Sequence, residues 1–145
     1  MQLLAEMSSW RVLVVDDEPD NLELAADVLE FSGATVIRAL GGQRALQLFD
    51  EQQPNIVLLD LAMPDVDGWE VYRHLRARKD GATLVIIALT ALAMSADAYR
   101  VRTIGFNGYI TKPFRVQALL QEIAECVKKH NEVTPAAFTT QENEQ

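Results

Sequence analysis

Ile56-Val57-Leu58-Leu59-Asp60 is the stretch whose reading decides the fold. Four apolar residues run without a polar interruption and stop at a carboxylate. A strand with one wet face alternates apolar and polar residues; a strand covered on both faces does not. This one is therefore buried on both sides, with its charge placed where the strand ends. Upstream, Pro54-Asn55 breaks the chain before it. Downstream, the loop Leu61 to Gly68 follows it.

The same unit repeats outward in both directions. Upstream lie a strand from Arg11 to Asp16, a helix from Pro19 to Ser32, a strand from Thr35 to Ala39 and a helix from Gly42 to Gln52. Pro19 suits a first helical position, Leu22, Ala25, Ala26 and Leu29 recur at helical spacing, and Gly33 suits the residue after a helix end. Ala45, Leu46 and Phe49 are expected inward in the second helix. Downstream lie a helix from Trp69 to about Lys79, a strand from Leu84 to Thr90, a helix from about Ser95 to Ile104, a strand from Gly108 to Thr111 and a helix from Phe114 to Lys129. In that last helix Val116, Leu119, Leu120, Ile123 and Val127 make one stripe.

Five strand–helix units imply an α/β fold with a parallel sheet and helices on both faces. Strands one, three and four are almost wholly apolar and belong in the middle. Strand two carries Arg38 and strand five is short, so both read as edges. That arrangement matches a known template, the order 2-1-3-4-5: the chain resembles a flavodoxin-like doubly wound sheet with five helices, whose ligand crevice lies at the carboxyl ends of strands one and three. The chain divides into an N-terminal extension over 1–10, one domain over 11–130 and a solvated acidic tail over 131–145.

Composition narrows the function. Of 145 residues, 49% are hydrophobic, enough for a core. Thirteen basic against 21 acidic residues leave a net charge of −8, a poor match to direct nucleic-acid binding or to an anionic membrane surface. The longest apolar run, Leu84 to Leu89, is far too short to span a bilayer. No basic leader opens the chain, so the expected location is the cytoplasm. Cys126 is the one cysteine, which excludes an internal disulfide. His74 and His130 have no partner at metal-ligand spacing and read as helix or surface residues. Arg73, Arg76, Arg78 and Lys79 read as a solvated basic end to the third helix.

Strand ends bring chemistry to one edge. Strand one ends in Asp16-Asp17, strand three in Asp60 and strand four in Thr90; Lys112 follows strand five. Alone, each has a simpler reading: helix-dipole acids, a solvated strand end, a helix cap, a surface lysine. Together at one edge they read as a site. Two carboxylates ~5 Å apart repel by roughly 3 kcal/mol at an effective dielectric of ~20. Lys112 is a single compensating charge, so a divalent cation is called for, and hard oxygen ligands select Mg²⁺ or Mn²⁺. A carboxylate such as Asp60 can attack phosphorus, while metal, Lys112 and Thr90 neutralise the phosphoryl oxygens.

Four stretches carry a family resemblance: Val14-Val15-Asp16-Asp17-Glu18-Pro19, Leu58 to Gly68, Ala88-Leu89-Thr90-Ala91 and Gly108 to Phe114. Over Arg11 to Lys129 the chain resembles a response-regulator receiver domain of bacterial two-component signalling. The resemblance implies that Asp60 is the phosphoacceptor, with a histidine kinase or phosphotransfer protein as donor. It makes Asp17 and Asp60 direct Mg²⁺ ligands, Asp16 a ligand through water and the Ala62 carbonyl a further ligand. Thr90 and Lys112 would hold the phosphoryl group, Tyr109 would be the switch aromatic coupled to Thr90, and Lys112-Pro113 would be cis. An unknown downstream protein would bind beside Tyr109.

The resemblance implies a phosphorylation-controlled module rather than an enzyme, a stand-alone receiver, and a monomer or weak dimer, since Asn107-Gly108 stands where many DNA-binding regulators carry paired acids. A receiver cut from a larger regulator or hybrid kinase is the alternative. An aspartyl phosphatase of the haloacid dehalogenase type is disfavoured, because its general acid would fall on Ala62. Ala62 and Leu92, which border the path of hydrolytic water in the family, are apolar here and imply a long-lived phosphorylated state.

Overall fold

The computed structural model describes residues 7–91 and 95–133, with only the backbone described for 95–97 and 133. Strands β1 (Arg11–Asp16), β2 (Thr35–Leu40), β3 (Ile56–Asp60), β4 (Val85–Thr90) and β5 (Gly108–Thr111) alternate with helices α1 (Pro19–Phe31), α2 (Gly42–Gln52), α3 (Gly68–Arg76), α4 (Ser95–Ile104) and α5 (Val116–Val133). All strands are parallel, in the order β2-β1-β3-β4-β5. The expected sheet order therefore holds.

Successive strand residues point to opposite faces, which is why β1, β3 and β4 have no polar face to spare. Val12, Val14, Ile56, Leu58, Ile87 and Leu89 pack on one side with Leu29 of α1 and Leu119 and Ile123 of α5. Leu13, Val15, Val57, Leu59, Ile86 and Ala88 pack on the other with Ala45 of α2, Leu75 of α3 and Val101 of α4. The four inward residues expected for α1 are its buried residues, and Gly33 after it has a φ of +108°.

Several boundaries differ from expectation, each for a tertiary reason. Residues 1–10 read as an extension ahead of the domain, yet Met7 and Trp10 are each only 1% exposed and join the core under α1 and α5. The Trp10 carbonyl accepts from the Thr35 amide at 2.9 Å, and the Asn55 side chain bonds both Ser9 and Arg11. Helix α3 ends at Arg76 rather than near Lys79. The Arg76 guanidinium donates to the Gly81 and Leu84 carbonyls, drawing the chain back toward β4. Arg76 is thus no solvated charge: it also reaches Tyr72, the Gly105 carbonyl and the Asn107 side chain. In α5, Val116 is 48% exposed, while Cys126 joins Leu119, Ile123 and Val127 in the buried stripe.

Helix α5 also runs beyond Lys129, carrying His130 inward. Its Nε2 lies 2.8 Å from the Thr83 carbonyl, which can only accept, so this nitrogen carries a proton. Burial pushes the imidazole below its usual 6.5, against the pull of the Thr83 bond and with help from the Arg76 charge. A group with a depressed folded pKa supports the fold above its unfolded value and loses that support as pH falls below it. The urea midpoint at pH 5.5, relative to that at pH 7.5, is therefore expected to be lower in the wild type than in His130→Gln. An equal spread in both would contradict the buried neutral ring.

Candidate functional site

Parallel pairing of β1 with β3 aligns Val15 with Leu59, so the next residues of the two strands emerge side by side. There the carboxylates of Asp16, Asp17 and Asp60 each offer an oxygen within 4.8 Å of the others. Asp16 and Asp60 are almost fully buried; Asp17 is half-buried. Pairing of β4 with β5 aligns Thr90 with Thr111 and delivers Lys112 to the same edge, its amide bonded to the Thr90 carbonyl at 2.8 Å. The Lys112 ammonium lies 2.8 Å from Asp16 Oδ2 and 3.4 Å from Asp60 Oδ2. The Lys112-Pro113 peptide is cis. Thr90 is buried at the end of β4, one residue beyond Leu89, the register partner of Asp60.

The electrostatics are those of an undercompensated acid cluster. Burial pushes the Asp60 carboxyl up to about 6, against the Ala62 amide and the Lys112 charge, with Asp16 adding to the rise. The Lys112 ammonium is held above its ordinary value: burial opposes the charge, but the Asp16 hydrogen bond and both carboxylates outweigh it. Three ionised carboxylates against one ammonium leave two negative charges on hard oxygen donors, the charge and chemistry of a divalent-cation site. The Ala62 amide donates to Asp60 Oδ1 at 3.1 Å, turning the loop over the carboxylate. The loop returns so closely that a Cβ on Gly68 would sit 2.3 Å from the Asp60 carbonyl oxygen, so only glycine fits there.

Residues 12–124 match the family model of the response regulator receiver domain. This chain is a response regulator receiver domain. The polar-differentiation response regulator DivK of Brucella ovis is 37% identical over 112 residues, which make up 77% of this receiver and 91% of DivK. The CheY-like receiver domain protein of Methanospirillum hungatei superposes with a TM-score of 0.75 at 27% identity, over 85% of this chain and 97% of that one. Vibrio cholerae CheY4 shares the fold, with a TM-score of 0.77 at 24% identity over 81% and 98% of the two chains. As a member of this family the receiver is a phosphoacceptor signalling module of two-component systems, not a classical enzyme, served by a phosphodonor kinase and acting on a downstream partner. Among the described residues no helix is long and apolar enough to cross a membrane.

The carboxyl edge thus brings together Asp16, Asp17, Asp60, Ala62, Thr90 and Lys112, while Leu92 lies outside the described residues. Tyr109 is half-buried, level with Ala88 on β4, two residues before Thr90. His74 is exposed on α3. Asn107-Gly108 has its own structural reason. The Asn107 side-chain oxygen accepts from the Ile86 amide and from Arg76, and a Cβ on Gly108 would sit 2.5 Å from the Cys126 sulfur.

Other contacts around the site were not legible in the sequence. Trp69 meets the edge of Phe106, with ring centroids 5.6 Å apart, and carries the Arg100 guanidinium 4.0 Å over its face. The second half of the loop after Asp60 is held by two of its own aspartates. Asp67 Oδ1 caps α3 through the Glu70 amide at 2.9 Å, and Asp65 faces the first amides of α2. The spacing from Asp67 to Glu70 is a capping pattern visible in sequence. The role of Asp65 depends on a helix that precedes it by more than 20 residues, and no local signal reports it.

Proposed function

We propose that Asp60 accepts a phosphoryl group from a histidine kinase or phosphotransfer protein, and that the modification switches a protein-binding face beside Tyr109. The observation that carries this reading is the convergence of the Asp16, Asp17 and Asp60 carboxylates within 4.8 Å, with the Lys112 ammonium in contact with two of them. Asp17 and Asp60 would hold Mg²⁺ directly, Asp16 through water and Ala62 through its carbonyl, with Mn²⁺ as a substitute. When bound, the cation offsets phosphoryl charge and mutual carboxylate repulsion.

The chain's own groups do the rest. An Asp60 carboxylate oxygen forms the new bond to phosphorus as the bond to the donor nitrogen breaks, and the donor leaves with that electron pair. A carboxyl with a pKa near 6 is mostly ionised at neutral pH, so it is ready to attack. Lys112 exchanges contact with carboxylates for contact with a phosphoryl oxygen. The Thr90 hydroxyl donates to another, a charge-assisted bond worth ~1.5–3 kcal/mol, enough for a tenfold population shift. Drawing Thr90 inward opens space along β4 into which Tyr109 turns, and that changes the face a partner meets. The same reading keeps the receiver in the cytoplasm, as a monomer or weak dimer.

The test is incubation with acetyl phosphate and Mg²⁺, followed by intact mass, beside a thermal scan with and without the cation. One phosphoryl group is expected, and Mg²⁺ is expected to raise the melting temperature because it binds the native state alone. Asp17→Ala is expected to lose both effects. Scans indifferent to Mg²⁺ in both proteins would remove the site.

A further expectation concerns lifetime. Ala62 is exposed beside Asp60 and offers hydrolytic water no hydrogen-bonding side chain. Label bound to the phosphorylated receiver is expected to be lost faster in Ala62→Asn, because a positioned polar group can contribute several kcal/mol. Equal decay rates would show that this position does not govern turnover.

A further inference from the structure

Helix α2 begins without a cap of its own. The residue before it, Gly41, has a φ of +99° and no side chain to offer. Its first amides are met from across the fold. Asp65, in the loop between β3 and α3, places Oδ1 3.4 Å from the Gly42 nitrogen and Oδ2 3.4 Å from the Gln43 nitrogen. These bonds are long, but a carboxylate there also meets the positive end of the helix. The Asp65 carboxyl is held below its ordinary range by the Val66 amide first, and by those of Gln43 and Gly42.

The two segments touch as well as bond. A Cβ on Gly42 would sit 2.4 Å from the Val66 carbonyl oxygen, and one on Gly41 would sit 3.1 Å from Asp65 Oδ2. Gly41 in turn donates its N–H to the Asp16 carbonyl at 3.1 Å. A single path therefore leads from the backbone of Asp16, through the start of α2, to Asp65. Three residues before Asp65 lies Ala62, whose amide bonds Asp60.

We propose that Asp65 is a positioning residue for the cation and phosphoryl site: it clamps the loop bearing Ala62 to the start of α2, and through Gly41 to the end of β1. This rests on the reading of Asp16, Asp17, Asp60 and Ala62 as that site. The clamp sets the spacing between ligands contributed by β1 and those contributed by β3 and its loop. It touches neither the metal nor the phosphoryl group, so it acts on affinity through geometry.

The experiment is calorimetric Mg²⁺ titration of wild type, Asp65→Ala, Asp65→Asn and Val127→Ala, with amide exchange at Gly42 and Gln43 followed in the metal-free proteins. Asp65→Ala is expected to weaken Mg²⁺ binding about 10-fold, the low end for loss of an outer-shell partner. It is also expected to speed exchange at both amides. Asp65→Asn, whose side-chain oxygen still accepts, is expected to recover most of the affinity. Val127→Ala, a core truncation in α5 remote from the loop, is expected to lose stability and keep wild-type affinity. Mg²⁺ binding by Asp65→Ala within twofold of wild type would overturn the clamp and leave the site reading intact. The same follows if Val127→Ala weakens binding as much. Absence of Mg²⁺ binding by the wild type would overturn both.

Discussion

Asp60→Asn is expected to abolish phosphorylation by acetyl phosphate and, at the same time, to make the metal-free protein more stable at pH 8. The first effect follows from removal of the nucleophile with the shape retained. The second follows from the environment of Asp60. Burial lifts its carboxyl from 3.8 to about 6, so the fold prefers the neutral form. A group with a raised folded pKa contributes stability that is full below its unfolded value and is lost as pH rises through the folded one. At pH 8 the wild type carries that cost and the asparagine does not.

Unscreened, a rise of this size corresponds to about 3 kcal/mol. The buried asparagine amide carries a polar cost of its own, which brings the expected gain to about 1–2 kcal/mol, or roughly 3–6 °C in melting temperature. The advantage is expected to fade as pH falls through 6 toward 4, where Asp60 is itself neutral. Mg²⁺ is expected to narrow the gap from the other side, by stabilising the wild type more than the variant. Calorimetric scans at pH 4.5 and 8, with and without Mg²⁺, test both trends. An asparagine variant no more stable than the wild type at pH 8 would contradict the strained cluster. Phosphorylation of that variant at the wild-type rate would remove Asp60 as acceptor.

Trp10→Ala is expected to cost about 3–5 kcal/mol of folding stability, the range for truncating a fully buried large aromatic side chain. That is a large share of the 5–15 kcal/mol typical of a domain. Trp10 lies ahead of β1, outside the matched residues 12–124, but its ring is 1% exposed and packs in the core shared by α1 and α5. Urea unfolding followed by Trp69 fluorescence measures the loss, since Trp69 remains as reporter. A change below about 1 kcal/mol would mean that the residues before β1 carry no weight in the fold. Phosphorylation by acetyl phosphate in the folded fraction is expected to persist, because Trp10 is remote from the carboxyl edge of the sheet.

The sequence by itself determined the sheet, its strand order and the edge where the candidate site lies. Uninterrupted apolar runs such as Ile56 to Leu59 require cover on both faces. Right-handed crossovers between parallel strands then leave few arrangements, and Asp16, Asp17, Asp60, Thr90 and Lys112 fall at one edge because each ends or follows a strand. Only the tertiary structure decided the contacts between segments distant in the chain. Met7 and Trp10 look like an untidy start until α1 and α5 close over them. His130 looks like a helix or surface residue until α5 carries it to Thr83, and Arg76 looks solvated until its guanidinium spans α3, the turn before β4 and the approach to β5. Asp65 shows the same limit within the site. Local periodicity and spacing report what a residue does to its neighbours in sequence, and a carboxylate that caps a helix more than 20 residues upstream leaves no trace there.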